Sequence, residues 1–210
     1  MATRLDPNER REQIIAATLR LVARDGFARV TLRDVASEVG VVHGLIRHYF
    51  ATREQLMAAA FDAAVTAEDE QDEALADRLE PIAALADWLS TTPRDHYLVW
   101  IDAWSEAPRN AELHAALTRH HRENDRRLAG IIERIADAGL GESTDPLADA
   151  RALTALVDGL AVQHHALGLI DEPEADAMAF RTAEARLGLA PGTLARERET
   201  PARSRWATTH

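Results

Sequence analysis

The sequence predicts an all-α chain: an N-terminal three-helix domain that holds a helix-turn-helix, followed by a larger C-terminal helical domain. Alanine and leucine, both good helix formers, dominate the composition. Apolar residues recur every three or four positions, and the alternation of Val, Ile and Thr that marks strands is absent. Several prolines stand at predicted helix starts rather than inside helices.

The first helix is predicted over about Pro7 to Asp25, with Asp6 as cap and Pro7 at the first helical position. Ile14, Ala17, Leu21 and Val22 form its apolar face, and Gly26 stops it. A short helix follows from Thr31, a good N-cap, to Val39, and Gly40 breaks it. The third covers roughly Val42 to Tyr49. The fourth starts at Thr52, whose cap is followed by Arg53, Glu54 and Gln55 in capping-box spacing. The implied body helices are about 52–76, 80–91, 93–106, 109–138, 146–168 and 174–188. Pro81, Pro93 and Pro146 mark three of these starts, the last two preceded by the caps Thr92 and Asp145. Three regions follow: a head over 1–51, a body over 52–190, and 191–210, read as a flexible tail that is polar, arginine-rich and without apolar period.

Charge separates the head from the body. The net charge of -11 argues against a general nucleic-acid binder. Yet residues 1–55 carry nine arginines against seven acidic residues, whereas the remainder carries 15 against 28. A mildly basic head on an acidic body suits a protein that touches DNA with one end. All 24 basic residues are arginine, whose guanidinium is always charged and can grip phosphate or guanine bidentately. There is no cysteine, which excludes disulfides, thiolate metal sites and cysteine nucleophiles. No apolar run is long enough for a membrane span, and Met1 to Asn8 has no apolar signal core, so a cytoplasmic protein with no membrane partner is expected.

The informative stretch is 31–50, TLRDVASEVGVVHGLIRHYF. Val35, Ala36 and Val39 share one face of its first helix, and Leu45, Ile46, Tyr49 and Phe50 can face back from the second. Ala36 is small enough for a close crossing, and Gly40 supplies the tight turn. His43, Gly44, Arg47 and His48 are left pointing outward. The tip bearing His43 and Gly44 can enter a major groove, and Arg47 can pair with guanine or clamp a phosphate. Arg33 and Arg53 are placed for backbone contact. Arg47→Ala and Arg53→Ala are therefore both expected to abolish DNA binding with helix content intact.

Gly26-Phe27, Thr31, Asp34-Val35-Ala36, Gly40-Val41, Gly44, Tyr49-Phe50, Arg53-Glu54 and Leu56 together resemble the DNA-binding head of the TetR family of regulators, over residues of about 10–60. The run 44–50, GLIRHYF, is similar to the choline-repressor (BetI-like) branch. The resemblance implies that Thr31 caps the second helix and touches phosphate. It implies that His43, Gly44 and His48 approach bases or sugar-phosphate, that Tyr49 packs or reaches the backbone, and that Arg53, where the family usually has lysine, holds a phosphate. Two positions depart from the family. Val42 replaces the usual serine, at a cost of about 1 kcal/mol for the lost cap. Arg47 stands where many members have tyrosine, so operator preference does not transfer.

The same resemblance implies that the body holds a small-molecule effector and a dimer interface, made here by about 146–168 and 174–188. Leu153, Leu156, Val157 and Leu160 give an apolar face suited to dimerisation or to burial within one subunit. Tyr97, Trp100 and Trp104 share one helix face, and Trp88 ends the preceding helix. They form either a cage for a cationic effector or a plain core stripe. Asp102 points the other way on that helix. The pairs His120-His121 and His164-His165 cannot chelate one metal alone, because adjacent residues diverge by about 100°. His164 and His165 either line the cavity or are solvated. No catalytic residue, metal ligand set or cofactor motif is present, so no enzyme, metal or cofactor is expected. The reading is a ligand-responsive regulator, a homodimeric repressor on a palindromic double-stranded DNA operator. The alternatives are a TetR-like activator and a helical protein-interaction adaptor.

Overall fold

A computed structural model describes residues 6–76, 78–90 and 94–198, with side chains over 6–66, 78–90 and 97–198. Its α-helices are α1 (Pro7–Asp25), α2 (Leu32–Val39), α3 (His43–Tyr49), α4 (Arg53–Ala76), α5 (Pro81–Leu89), α6 (Arg94–Glu106), α7 (Ala111–Asp137), α8 (Pro146–Ala161), α9 (Glu172–Arg186) and α10 (Thr193–Arg198). The capping chemistry read from the sequence is in place. Asp6 accepts from Asn8 N–H, Thr31 from Asp34 N–H, and Asp145 from Ala148 N–H. The expected cap Thr92 lies outside the described residues.

The chain divides into two compact units, one of residues 1–68 and 98–120, the other of 69–97 and 121–210. The first unit therefore takes in more than the 1–51 head read from the sequence. Its core is built on Ile14, Phe27, Val35, Ile46, Leu56, Phe61 and Leu113, all fully buried. Phe61 meets Phe27 and Trp100 edge-on, with ring centroids 6.4 and 5.1 Å apart. The second unit packs Leu85, Leu128, Ile132, Ile135, Leu153 and Leu187 together.

Several boundaries differ from expectation. The helix expected over 146–168 is α-helical only to Ala161, and Val162–Ala166 continues it as one wider π-type turn. Helix α9 starts two residues early, at Glu172, because Asp171 caps it and Pro173 in the first turn needs no hydrogen-bond donor. The expected tail from 191 is corrected more strongly. Thr193–Arg198 is helical, and Leu194 is fully buried against the second core. Buried Glu184 anchors it, accepting from Gly192 N–H and Leu194 N–H at 2.9 Å each. Burying that leucine contributes about 2 kcal/mol, which a polar tail could not supply. Residues 199–210 lie outside the described residues.

Leu153 and Leu160, two of the four residues read as a dimer face, are buried in the chain's own core, while Leu156 and Val157 are half-buried against it. Beside them on α8, burial and the like charge of Asp125 push the Asp158 carboxyl up to about 7. Arg151 Nε lies 3.7 Å from Asp125. An unfolded aspartate titrates near 3.9, so the folded chain binds the extra proton between about pH 4 and 7. Stability then falls as pH rises through that window. Asp158→Asn is expected to melt higher than wild type at pH 8, by about 1–2 kcal/mol once solvent screening is allowed for, and equally at pH 4. Thermal melts of both proteins across that range check this; a pH-independent difference would contradict it.

Candidate functional site

The helix-turn-helix is formed by α2, Gly40 and α3. Gly40 adopts φ 74° and ψ 36°, a left-handed conformation that L side chains resist, and its N–H caps α2 on Ala36 and Ser37. Val41 N–H then donates to Ala36 O at 2.9 Å, so the turn is closed twice on one small residue. Val35, Ala36, Ile46 and Phe50 are buried on the inner corner. Arg11 lies over the Phe50 ring, 5.0 Å from its centroid, and ties α1 to the end of α3.

Arg33, Val42, Gly44, Arg47 and His48 are exposed on the outside, and His43 and Tyr49 are half-buried. His48 and Tyr49 meet edge-on, 5.3 Å between centroids. Arg20 and Arg24 have carboxylate partners in Glu38 and Asp25. Among the described residues, Arg33 and Arg47 form no ion pair. Val42 is 77% exposed and offers α3 no capping side chain. Gly44 needs no hydrogen on structural grounds, because a Cβ there would meet nothing within 4 Å.

Two expected phosphate contacts are corrected. Thr31 does cap α2, but its N–H and its hydroxyl both donate to Asp34 Oδ2, at 2.9 and 2.6 Å. No donor of Thr31 is left for a phosphate, and those bonds hold the Asp34 carboxyl below its ordinary range. Arg53 is turned inward. Its Nε donates to Val30 O at 2.8 Å, its Nη1 pairs with Glu106 at 2.9 Å, and its Nη2 donates to Phe27 O. It is a brace for the 27–30 turn.

The sequence reading missed the partners of that brace. Glu106 holds Arg53, and Asp102 accepts from Phe27 N–H. Gly26 belongs to the same arrangement. It has φ 82°, and a Cβ on it would sit 3.1 Å from Asp102 Oδ2. The one available signal was that Asp102 points away from the aromatic stripe of its helix.

The aromatic residues have different surroundings. Trp100 packs edge-on against Phe61 in the first unit's core, and half-buried Trp104 lies against that core, 6.0 Å between the two indole centroids. Trp88 is partly buried against the second core. Tyr97 and His164 line a small cavity in the second unit with Leu89, Val157, Leu160, Ala161, Ala175 and Ala179. Its volume is about 20 Å³, room for one water molecule. His165 is buried and stacked on Tyr97 at 5.4 Å and 27°, behind that wall. His164 Nδ1 is 2.9 Å from Ile170 O.

A family model described as bacterial regulatory proteins of the tetR family matches residues 14–60, and one described as the C-terminal part of BetI-type transcriptional repressors matches 76–188. The chain is 30% identical over 174 residues to the HTH-type transcriptional regulator PksA of Bacillus subtilis, covering 77% of this chain and 82% of that one. It is 30% identical over 162 residues to the regulator BetI of Stenotrophomonas maltophilia, covering 72% and 79%. The crystal structure of a transcriptional regulator from Saccharomonospora viridis, in complex with choline, superposes with a TM-score of 0.72 at 24% identity, over 86% of this chain and 98% of that one. The chain thus belongs to the tetR family of transcriptional regulators, with a BetI-type C-terminal domain.

Proposed function

We propose that this chain is a cytoplasmic, ligand-responsive repressor that binds a palindromic operator as a homodimer and is released by a small-molecule effector. Arg47, exposed on the outer face of α3 and without an ion pair among the described residues, carries the reading. Arg33, Val42, His43, Gly44, His48 and Tyr49 complete the proposed DNA surface. Two copies must place their α3 helices about 34–36 Å apart to enter successive major grooves. An effector lowers operator affinity only as far as it prefers a different arrangement.

For the effector, Tyr97 and His164 are the proposed contacts. The cavity they line must widen before anything larger than water enters, so binding and conformational change are linked. The choline in the Saccharomonospora viridis structure makes an alkylammonium the first compound to titrate.

The test is selection of duplexes from a random pool by the purified chain, followed by affinity measurements across a salt series. Arg47→Ala is expected to lower affinity about tenfold, to reduce the slope of log affinity against log salt by about one, and to leave the melting temperature unchanged. A wild-type chain that selects no sequence at physiological salt would rule the reading out.

A further inference from the structure

The proposed DNA surface contains one exposed aliphatic side chain, Val42, at the start of α3. Asp6, Thr31, Thr52, Asp145 and Asp171 each put a side-chain oxygen on a backbone N–H of the helix they start. Helix α3 starts instead on Val42, with φ -72° and ψ 141° and no side-chain cap. Helix α5 also lacks a side-chain cap, but its N-cap residue Glu80 is polar and Pro81 opens the helix, removing one of the donors that needs a partner. Val42 brings neither advantage. It is also more exposed than the other large exposed hydrophobics, Leu98, Leu140, Leu167 and Leu169.

Scattered exposed aliphatic residues are ordinary on protein surfaces. Val42 is different because of its place. A branched apolar side chain here leaves an orphan donor of α3 uncapped and covers no core. Its neighbours in sequence are the half-buried His43 and Gly44, whose open side leaves room for a close approach by another molecule. In a major groove, thymine presents a C5-methyl group that only an apolar contact can read.

We infer that Val42 is a specificity-determining residue: its two methyl groups bury the C5-methyl of one thymine in each half-site. The inference rests on the DNA-reading assignment for α3. It predicts that removing that methyl alone weakens binding, although no hydrogen bond changes.

The experiment uses the full chain and a duplex selected from a random pool. Each thymine of the duplex is replaced in turn by deoxyuridine, which lacks only the methyl. One position per half-site is expected to weaken wild-type binding about fourfold, the equivalent of about 0.8 kcal/mol for one buried methyl. Val42→Ser should bind both duplexes alike, while melting at or above the wild-type temperature because serine supplies the missing cap. A Val42→Ser protein with the same deoxyuridine profile as wild type overturns this inference and leaves the DNA assignment standing. A chain that selects no duplex removes both.

Discussion

Arg53→Ala is expected to lower the stability of the protein by about 2–4 kcal/mol, and its melting temperature by about 5–12 °C. The side chain is 23% exposed and its partner Glu106 12%, so the pair is largely removed from water. Cutting Arg53 at Cβ strands the Glu106 carboxylate and leaves the Phe27 and Val30 carbonyls without their donor. An uncompensated buried charge costs more than the pair contributes when intact. Arg53→Ala with Glu106→Gln should therefore recover part of the loss, because it removes the stranded charge along with its partner. DNA binding by Arg53→Ala should fail with heating, not with salt. Were Arg53 a phosphate clamp, the pattern would invert: an unchanged melting curve and a salt slope reduced by about one. A variant that melts within 1 °C of wild type would refute the brace.

That contrast explains how far the site could be read from residues. Apolar spacing and caps act within a turn or two of chain, so α1, α2, α3 and the Gly40 turn were legible from the sequence. Arginine has no such local signature. The same side chain at the start of a helix can reach outward to a phosphate or inward to carbonyls, and the choice is made by residues far along the chain. For Arg53 the deciding partner is Glu106, 53 positions away. Arg47 faces outward, and among the described residues no carboxylate pairs with it. The C-terminal helix was missed for a related reason. The anchor of Gly192 and Leu194 is Glu184, a buried carboxylate whose role shows only once α9 is folded beneath it.

The aromatic stripe left cage and core open for a third reason. Helical spacing places Tyr97, Trp100 and Trp104 on one face, but a face two turns long need not have a single neighbour. Trp100 meets Phe61 in the core and Trp104 lies against Trp100, while Tyr97 stacks on His165. Periodicity reports that a residue is covered, not what covers it.

Gly44→Ala separates stability from DNA reading and is expected to move them in opposite directions. Glycine in a helix is disfavoured relative to alanine by about 1 kcal/mol, because it gives up more backbone freedom on folding. At Gly44 the space is open, and its φ lies outside the left-handed region. Alanine there should raise the melting temperature by about 2–4 °C. The same Cβ would project from the tip of α3 toward the proposed duplex. Overpacking a close contact by one carbon typically costs about 1–3 kcal/mol, so operator affinity should fall about 10-fold to 100-fold. Few substitutions stabilise a fold while disabling it, and a merely structural glycine would do neither. A Gly44→Ala protein that binds its selected duplex as tightly as wild type would mean that the backbone of α3 does not closely approach DNA. The tip of the helix would then have to be withdrawn from the reading surface, leaving Arg47 and His48 to bind from farther along the helix.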